Sequence, residues 1–184
     1  MDHLHNEKNM MIMRVFNDDK GRKSFTLIEL IIVVAIIALF SGITMAYFNN
    51  FTREKQLSNN TKKLIDVVDL ARKKTNSGDN SMCLGADGTS DGFSVVITGA
   101  NSYKLEPVCM VGTPSIVTYQ TESNVQFVNT SQRIDFKPLV PLDSGVQIIL
   151  KEINLDKCLA VKIETSGSSE QISCSNCDNC NDPT

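Results

Sequence analysis

Cysteine is the residue type that could do the most chemistry in this sequence, and all six cysteines follow residue 80. Cys174, Cys177 and Cys180 have the C-x2-C-x2-C spacing that occurs among the ligands of iron–sulfur clusters. Such a run requires a fourth cysteine just beyond it, where the sequence has Asn-Asp-Pro-Thr. A zinc site would use Cys158 as its fourth ligand. A metal site on these cysteines therefore stays an alternative to disulfide bonds.

The even number of cysteines favours disulfide bonds, provided that the domain lies in an oxidising compartment. The spacing suggests three pairs: Cys83–Cys109, Cys158–Cys174 and Cys177–Cys180. The first would close a loop of about 27 residues and contribute roughly 3–4 kcal/mol. The second would lie across a Ser-Gly-Ser turn, and the third would be local. Because disulfides are favoured, we predict no bound metal and no cofactor.

Groups that commonly catalyse reactions are scarce. The two histidines, His3 and His5, both lie at the N-terminal end, and the sequence has no nucleophile elbow, phosphate-binding loop or paired-carboxylate pattern. Asp87 and Asp91 each precede a glycine but lack the alternating oxygen spacing of a calcium loop, so we interpret them as turn residues. The net charge of −3 gives no basic surface for nucleic acid. We therefore predict a non-enzymatic protein that does not bind nucleic acid.

A lone carboxylate, Glu29, stands inside the longest apolar segment, where it is the only charged residue between Phe25 and Tyr47. A basic cluster precedes this segment: Lys20, Arg22 and Lys23. A helix of this size extends roughly 34 Å, which is enough to cross a bilayer core of roughly 30 Å. The basic cluster indicates that the N-terminal side lies in the cytoplasm. The pattern therefore predicts a membrane-inserted helix whose larger C-terminal part lies outside.

Three other interpretations of this segment compete with that one. Residues 30–40 have the length of the apolar region of a secretory signal peptide, with residues 44–46 as a weak cleavage site. An uncleaved signal anchor and a buried core helix are the other two. Glu29 argues against the signal peptide and the anchor, because a carboxylate in a spanning helix costs roughly 2.5 kcal/mol or more and needs a partner or a purpose.

The residues around Glu29 resemble a known signal. Residues 21–30, Gly-Arg-Lys-Ser-Phe-Thr-Leu-Ile-Glu-Leu, are similar to the class III signal of type IV prepilins and type II secretion pseudopilins. The resemblance implies that prepilin peptidase cuts between Ser24 and Phe25, that Phe25 is N-methylated, and that Glu29 docks each subunit in a filament. The family prefers Gly before the cut, where this sequence has Ser24. The freed α-amine requires a carboxylate, which Glu29 of a neighbouring subunit can supply.

A helical pattern continues beyond the apolar segment. Apolar side chains recur at spacings of seven, four and three: Leu57, Leu64, Val68 and Ala71. This spacing is typical of an amphipathic helix with one face on a core. Gly78 follows as a candidate left-handed cap. We therefore predict one long helix over about 25–76.

Beyond residue 80 the pattern changes to β-structure. Short β-branched segments between Gly, Asn, Ser and Pro clusters predict antiparallel strands packed on the helix, which is an α+β, pilin-like fold. The predicted strands are 93–98, 103–106, 116–120, 124–129, 132–136, 146–151, 158–164 and 171–174. The predicted parts are a removed leader (1–24), a transmembrane or filament-core half-helix (25–48), an amphipathic half-helix (49–78), a β-rich domain (79–174) and a cysteine-rich tail (175–184).

A second resemblance concerns the end of the domain. Ile134 and Phe136, a loop with Gly145, and two closing strands around Gly167 are similar to minor pilins and H-type minor pseudopilins. Together the resemblances imply a structural subunit, a minor pilin or pseudopilin, of a type IV pilus or a type II secretion filament. A major pilin, an adhesive or DNA-uptake pilin and an anchored metal or redox protein are the alternatives.

The resemblances also imply partners and a location. The partners would be other pilin subunits, prepilin peptidase, an inner-membrane assembly platform and membrane lipid. The location would be the inner membrane, crossed once with the N-terminus in the cytoplasm. After processing, the subunit would belong to a periplasmic or extracellular filament.

Overall fold

A long helix followed by eight strands makes up the described part of the chain. The computed structural model describes residues 25–178 and 180, without the side chains of 42–46. Helix α1 runs over Leu27–Asn76, close to the predicted bounds. The strands are β1 (Cys83–Gly99), β2 (Ser102–Pro114), β3 (Val117–Gln120), β4 (Val125–Phe127), β5 (Arg133–Phe136), β6 (Val146–Glu152), β7 (Lys157–Ile163) and β8 (Ser169–Ser173). All the predicted strands are confirmed, and β1 and β2 extend well beyond their predicted bounds.

The strands form two antiparallel sheets. Sheet A has the order β3-β2-β1-β5, and sheet B has the order β4-β6-β7-β8. Strand β4 lies between β3 and β5 in the sequence but pairs with β6, with Val125 opposite Glu152. The α+β class with antiparallel strands is confirmed. The division into two sheets is a finding of the structure, because a strand pattern indicates where a strand lies and not which partner it pairs with.

The chain divides into two compact units, one ending at Ile43 and one starting at Thr44. In the second unit, the helical stripe indicated by the spacing is buried: Leu57, Leu64, Val68 and Ala71. These side chains share one core with residues of both sheets, including Val95 of β1 and Ile148 of β6. Burying a leucine or valine contributes roughly 1.5–3 kcal/mol. The stripe therefore holds both sheets against the helix.

Helix α1 ends in a Schellman motif. The backbone N–H of Asp79 donates to the carbonyl of Lys74 at 3.0 Å, and that of Gly78 donates to the carbonyl of Thr75 at 3.1 Å. Gly78 has a φ of 64°, a left-handed conformation that glycine adopts without strain. Hydrogen bonds from the Lys74 ammonium and then from Ser81 lower the pKa of Asp79 to about 2. The predicted cap at Gly78 is therefore confirmed.

A buried carboxylate, Glu152 at the end of β6, connects sheet B to helix α1. It accepts hydrogen bonds from Asn124 Nδ2 and Asn154 Nδ2, both at 3.1 Å, and from the backbone N–H of Leu155 at 2.5 Å. Arg53 Nη1 of the helix lies 3.6 Å from its Oε1. Burial by itself would raise the pKa of Glu152, but the hydrogen bonds from Asn154, Leu155 and Asn124 outweigh it, and the pKa is lowered.

We expect Glu152→Gln to lower the free energy of unfolding at neutral pH by about 1.5–3 kcal/mol, because hydrogen bonds to a charged acceptor are lost. The folded-state pKa of Glu152 lies below its unfolded value of roughly 4.3. Its stabilisation is therefore present above that pH and is lost as the pH falls through the folded-state pKa. Urea denaturation in mild detergent should show that wild type and variant differ at neutral pH and converge in acid.

Glu170→Gln is the matched control. Glu170 is exposed on β8 and lies 3.6 Å from Lys162, so its replacement should change the stability by less than about 1 kcal/mol. A Glu152→Gln effect that does not depend on pH would contradict the stabilising role of the ionised carboxylate.

Candidate functional site

Helix α1 begins with a capped first turn. The hydroxyl oxygen of Thr26 accepts the backbone N–H of Glu29 at 3.3 Å, and the Thr26 carbonyl accepts that of Leu30 at 3.2 Å. Thr-x-x-Glu at a helix start is the capping-box pattern, in which the cap satisfies an N–H that has no partner inside the helix. The cap fixes Glu29 in the first turn, where the helix dipole favours a carboxylate.

Apolar side chains surround this helix start and are exposed, with Phe25 80% exposed. The exposed set is Phe25, Leu27, Ile28, Leu30, Ile31, Ile32, Val33, Val34, Ile36, Ile37, Leu39 and Phe40. In water, each of them would forgo roughly 1.5–3 kcal/mol of burial free energy. An exposed apolar surface of this extent marks a site of contact with a protein or a membrane.

The structure brings two of the predicted site residues to the helix start, since Phe25 precedes the cap and Glu29 lies in the first turn. The predicted leader residues lie outside the described part of the chain: Ser24, Lys20, Arg22 and Lys23. The cleavage site and the basic cluster therefore stay predictions. Thr26 was missed as a site residue, although the Thr-x-x-Glu spacing is a signal that could have found it.

The predicted membrane span over 25–48 includes the side chains of 42–46, which lie outside the described set. Among the residues that the structure describes, no helix combines the length and the apolar character needed to cross a membrane.

The first disulfide joins Cys83 to Cys109, the pair that the spacing suggested, with their Cα atoms 5.7 Å apart. It links β1 to β2 where the ladder between them is irregular. Leu84 pairs with Thr113 and Thr89 with Val111, and the register shifts between them. The covalent bond therefore closes the irregular end of this hairpin.

The other two disulfides differ from the predicted pairs. Cys158 bonds to Cys177 and Cys174 bonds to Cys180, with Cα separations of 5.5 and 4.7 Å, so the predicted pairs Cys158–Cys174 and Cys177–Cys180 are wrong. The first of these pairs was predicted from the Ser-Gly-Ser turn between its cysteines, and the second from their closeness in the sequence. The tail instead folds back over sheet B, which brings Cys177 beside Cys158 of β7 and Cys180 beside Cys174, the residue that follows β8.

The tail covers a small apolar cluster on the face of sheet B that is turned away from helix α1. Ile149 and Ala160 are buried in this cluster, whereas their strand neighbours Ile148 and Val161 lie in the core shared with the helix. Cys180 is only 1% exposed. The tail disulfides therefore close a second core.

Metal binding by these cysteines is not supported by the structure. All six sulfur atoms are in disulfides, so none is available as a thiolate ligand. Within residues 25–178 and 180, no three His, Cys, Asp or Glu side chains are grouped to hold a metal ion. A cleft of about 710 Å³ lies beside the tail. Each of its lysines pairs with a carboxylate, Lys157 with Glu54 and Lys151 with Asp156.

Comparison with known proteins points to the helix start. Residues 19–45 match the family described as the prokaryotic N-terminal methylation motif, the hallmark of type IV pilin-like prepilins. This motif implies membrane anchoring before processing. No curated protein and no solved structure matches the chain. The match ends at residue 45, before the β-rich domain begins.

We expect Thr26→Ala to weaken the first turn by about 1 kcal/mol, because the N-cap acceptor is lost. Amide hydrogen exchange of the full chain in detergent micelles should then be about fivefold faster at Glu29, whose N–H the cap accepts.

Thr26→Ser keeps a hydroxyl and should exchange like wild type. Thr52→Ala is the mid-helix control, because the Thr52 hydroxyl donates to the carbonyl of Phe48 at 2.9 Å and caps nothing. Equal exchange rates in the Thr26→Ala and Thr26→Ser variants would show that the cap does not hold the first turn.

Proposed function

We propose that this chain is a structural subunit of a pilin-type filament, made as a prepilin, processed by prepilin peptidase and assembled with other pilin subunits through its helix start. The observation that carries the proposal is the N-terminal methylation motif at residues 19–45. It coincides with a capped helix start whose apolar side chains are exposed. Lipid would cover these side chains before assembly, and the helices of neighbouring subunits would cover them afterwards.

Cleavage between Ser24 and Phe25 would create a charged partner for the exposed Glu29. The cut frees a cationic α-amine next to the Thr26 cap, at the positive end of the helix dipole, where a cation is unfavourable. Glu29 of a neighbouring subunit neutralises that amine. Because the pair forms only on assembly, the free-energy cost of a carboxylate in an apolar environment favours joining the filament. N-methylation leaves the amine basic, so the pair persists after modification.

Within this class we favour a minor pilin or pseudopilin. The β-rich domain supports this through its closing elements. Ile134 and Phe136 lie on β5 and are buried, Gly145 precedes β6, and β7 and β8 close sheet B around the turn at Gly167. These are the elements that resemble the end of minor pilin and H-type pseudopilin domains.

The location that follows is the inner membrane, crossed once, and later a periplasmic or extracellular filament. The basic cluster of Lys20, Arg22 and Lys23 supports a cytoplasmic N-terminus. The disulfides of the β-rich domain support an oxidising compartment on the other side. Membrane lipid and an inner-membrane assembly platform would be further partners. The net charge of −3 gives nucleic acid no basic surface.

The intact mass of the membrane form tests the proposal directly. We expect the mass of the chain that begins at Phe25, increased by one methyl group, because prepilin peptidase removes the leader and the new terminus is methylated. Mass spectrometry of the detergent-extracted protein gives this value, and a strain without the peptidase is the control that should retain residues 1–24.

Other masses would contradict the proposal. A chain cut after Ala46 would identify a secretory signal peptide, and an uncut chain in the presence of the peptidase would identify a signal anchor.

The docking role of Glu29 has a separate test. We expect Glu29→Ala to be inserted in the membrane and cleaved normally but to be several-fold depleted from sheared filaments, because the α-amine of its neighbour lacks a counter-charge. Immunoblots of membrane and filament fractions measure both properties. Glu170→Ala, which removes an exposed carboxylate from β8, is the matched control and should partition like wild type. Normal incorporation of the Glu29→Ala variant would refute the docking role.

A further inference from the structure

The last two disulfides cross each other along the chain. The Cys158–Cys177 bond encloses Cys174, and the Cys174–Cys180 bond encloses Cys177. We propose that a thiol–disulfide exchange catalyst, a protein with a nucleophilic thiolate, completes this tail. The catalyst would convert an intermediate with consecutively paired cysteines into the crossed pairing of the native domain.

The hairpin of β7 and β8 favours Cys158–Cys174 as the first of these disulfides to form. Leu159 pairs with Ser173 in the β7–β8 ladder, so Cys158 and Cys174 occupy the next position on adjacent strands. Formation of the hairpin alone brings these two together, whereas the native pair also requires the tail to fold back. The native pair is separated by 19 residues, a loop little longer than that of the competing pair, so closure entropy does not reverse this order. The two tail cysteines are then left to pair with each other.

The crossed pairing is the one that keeps apolar surface buried. In the native domain, Cys158 and Cys180 are 7% and 1% exposed and pack with Ile149 and Ala160. With consecutive pairing, no bond holds the tail beyond Cys174 to the sheet. Burial of this cluster therefore favours the crossed pairs at equilibrium, and a catalyst is needed only for the rate.

Once both consecutive bonds have formed, the chain cannot start the exchange by itself. Its six cysteines make three pairs, so a consecutively paired intermediate contains no thiolate, and the attack must come from another molecule. The external thiolate attacks Cys174 and displaces Cys158. The Cys158 thiolate attacks Cys177 and displaces Cys180. The Cys180 thiolate attacks Cys174 and releases the external thiolate. Each step forms one S–S bond and breaks one, so no electrons are gained or lost and the catalyst is regenerated.

The bonds are first made by a different reactant, a disulfide oxidant. For each pair of thiols it accepts two electrons and two protons and is itself reduced to two thiols. The exchange catalyst must instead be a free thiol. The inference rests on the proposed function only because the β-rich domain must reach an oxidising compartment. It does not depend on filament assembly.

Oxidative refolding of the full chain in mild detergent tests this requirement. The reduced, denatured chain is oxidised with diamide, which releases no thiol, the unreacted diamide is removed, and reduced glutathione is then added or withheld. Mass spectrometry maps the linked cysteines. Diamide alone should give mainly Cys158–Cys174, and the added thiol should raise the crossed pairing several-fold. Crossed pairs formed equally fast and in equal yield without the thiol would overturn the inference.

The double variant Cys174→Ser/Cys180→Ser is the matched control, because Cys158 then has Cys177 as its only partner in this region. It should form the native bond directly with diamide alone. If this variant still required the thiol, the crossed pairing would not be what slows formation of the native bonds, and the inference would be wrong. Mass-spectrometric mapping of the linked cysteines in protein extracted from membranes should show the crossed pairs. The N-terminal peptide reports independently whether the chain begins at Phe25, so a failure of the proposed function is read separately.

Discussion

The buried stripe of helix α1 is the contact on which both sheets depend. Leu64, Val68 and Ala71 have no exposed surface, and their core contains residues from sheet A and from sheet B. A four-stranded antiparallel sheet needs its apolar face covered to be stable in water, and here one helical stripe serves two sheets. The helix can do so because its spacing of seven, four and three keeps apolar side chains on one face over four turns. Before Ile43 the same helix presents apolar side chains all round, so it needs a different kind of cover there.

Two carboxylates, one in each unit of the chain, have very different surroundings. Glu152 is fully buried, but Asn124, Asn154 and the Leu155 amide donate to it, so its charge is stabilised within the domain. Glu29 stands among exposed apolar side chains, where its backbone N–H is held by Thr26 and its carboxylate is left at the surface. A carboxylate of the first kind stabilises a fold. In an apolar environment, one of the second kind is a cost that association with another molecule can remove, so the proposed filament contact would suit it.

The sequence predicted the elements well because each one depends on local signals. Gly78 could be assigned to the helix end since only a left-handed residue closes a Schellman motif without strain, and β-branched runs marked the strands. The first half of β1 was not predicted, because it contains glycines that strands normally disfavour. Gly92 explains why they are tolerated, since a Cβ there would overlap the carbonyl oxygen of Phe136 on β5. The partner of β4 could not be predicted either, because a strand of three residues contains no sequence signal for the sheet that it joins.

The candidate site also contains some features that local sequence signals predict and others that depend on the fold. Glu29 could be singled out from sequence because a single charge in an apolar run is a local feature, and Phe25 because the residues around it resemble a known signal. The pairing of the tail cysteines could not, since it depends on which face of sheet B the tail covers. Ile149 and Ala160 look like ordinary members of strands buried on both faces, and only the fold-back of the tail explains why their face is apolar. The chain thus covers one apolar surface by itself, with two disulfides, and leaves the other exposed at the helix start. In the proposed function, the domain has to hide the first surface before it reaches water, and the subunit has to keep the second available until it assembles.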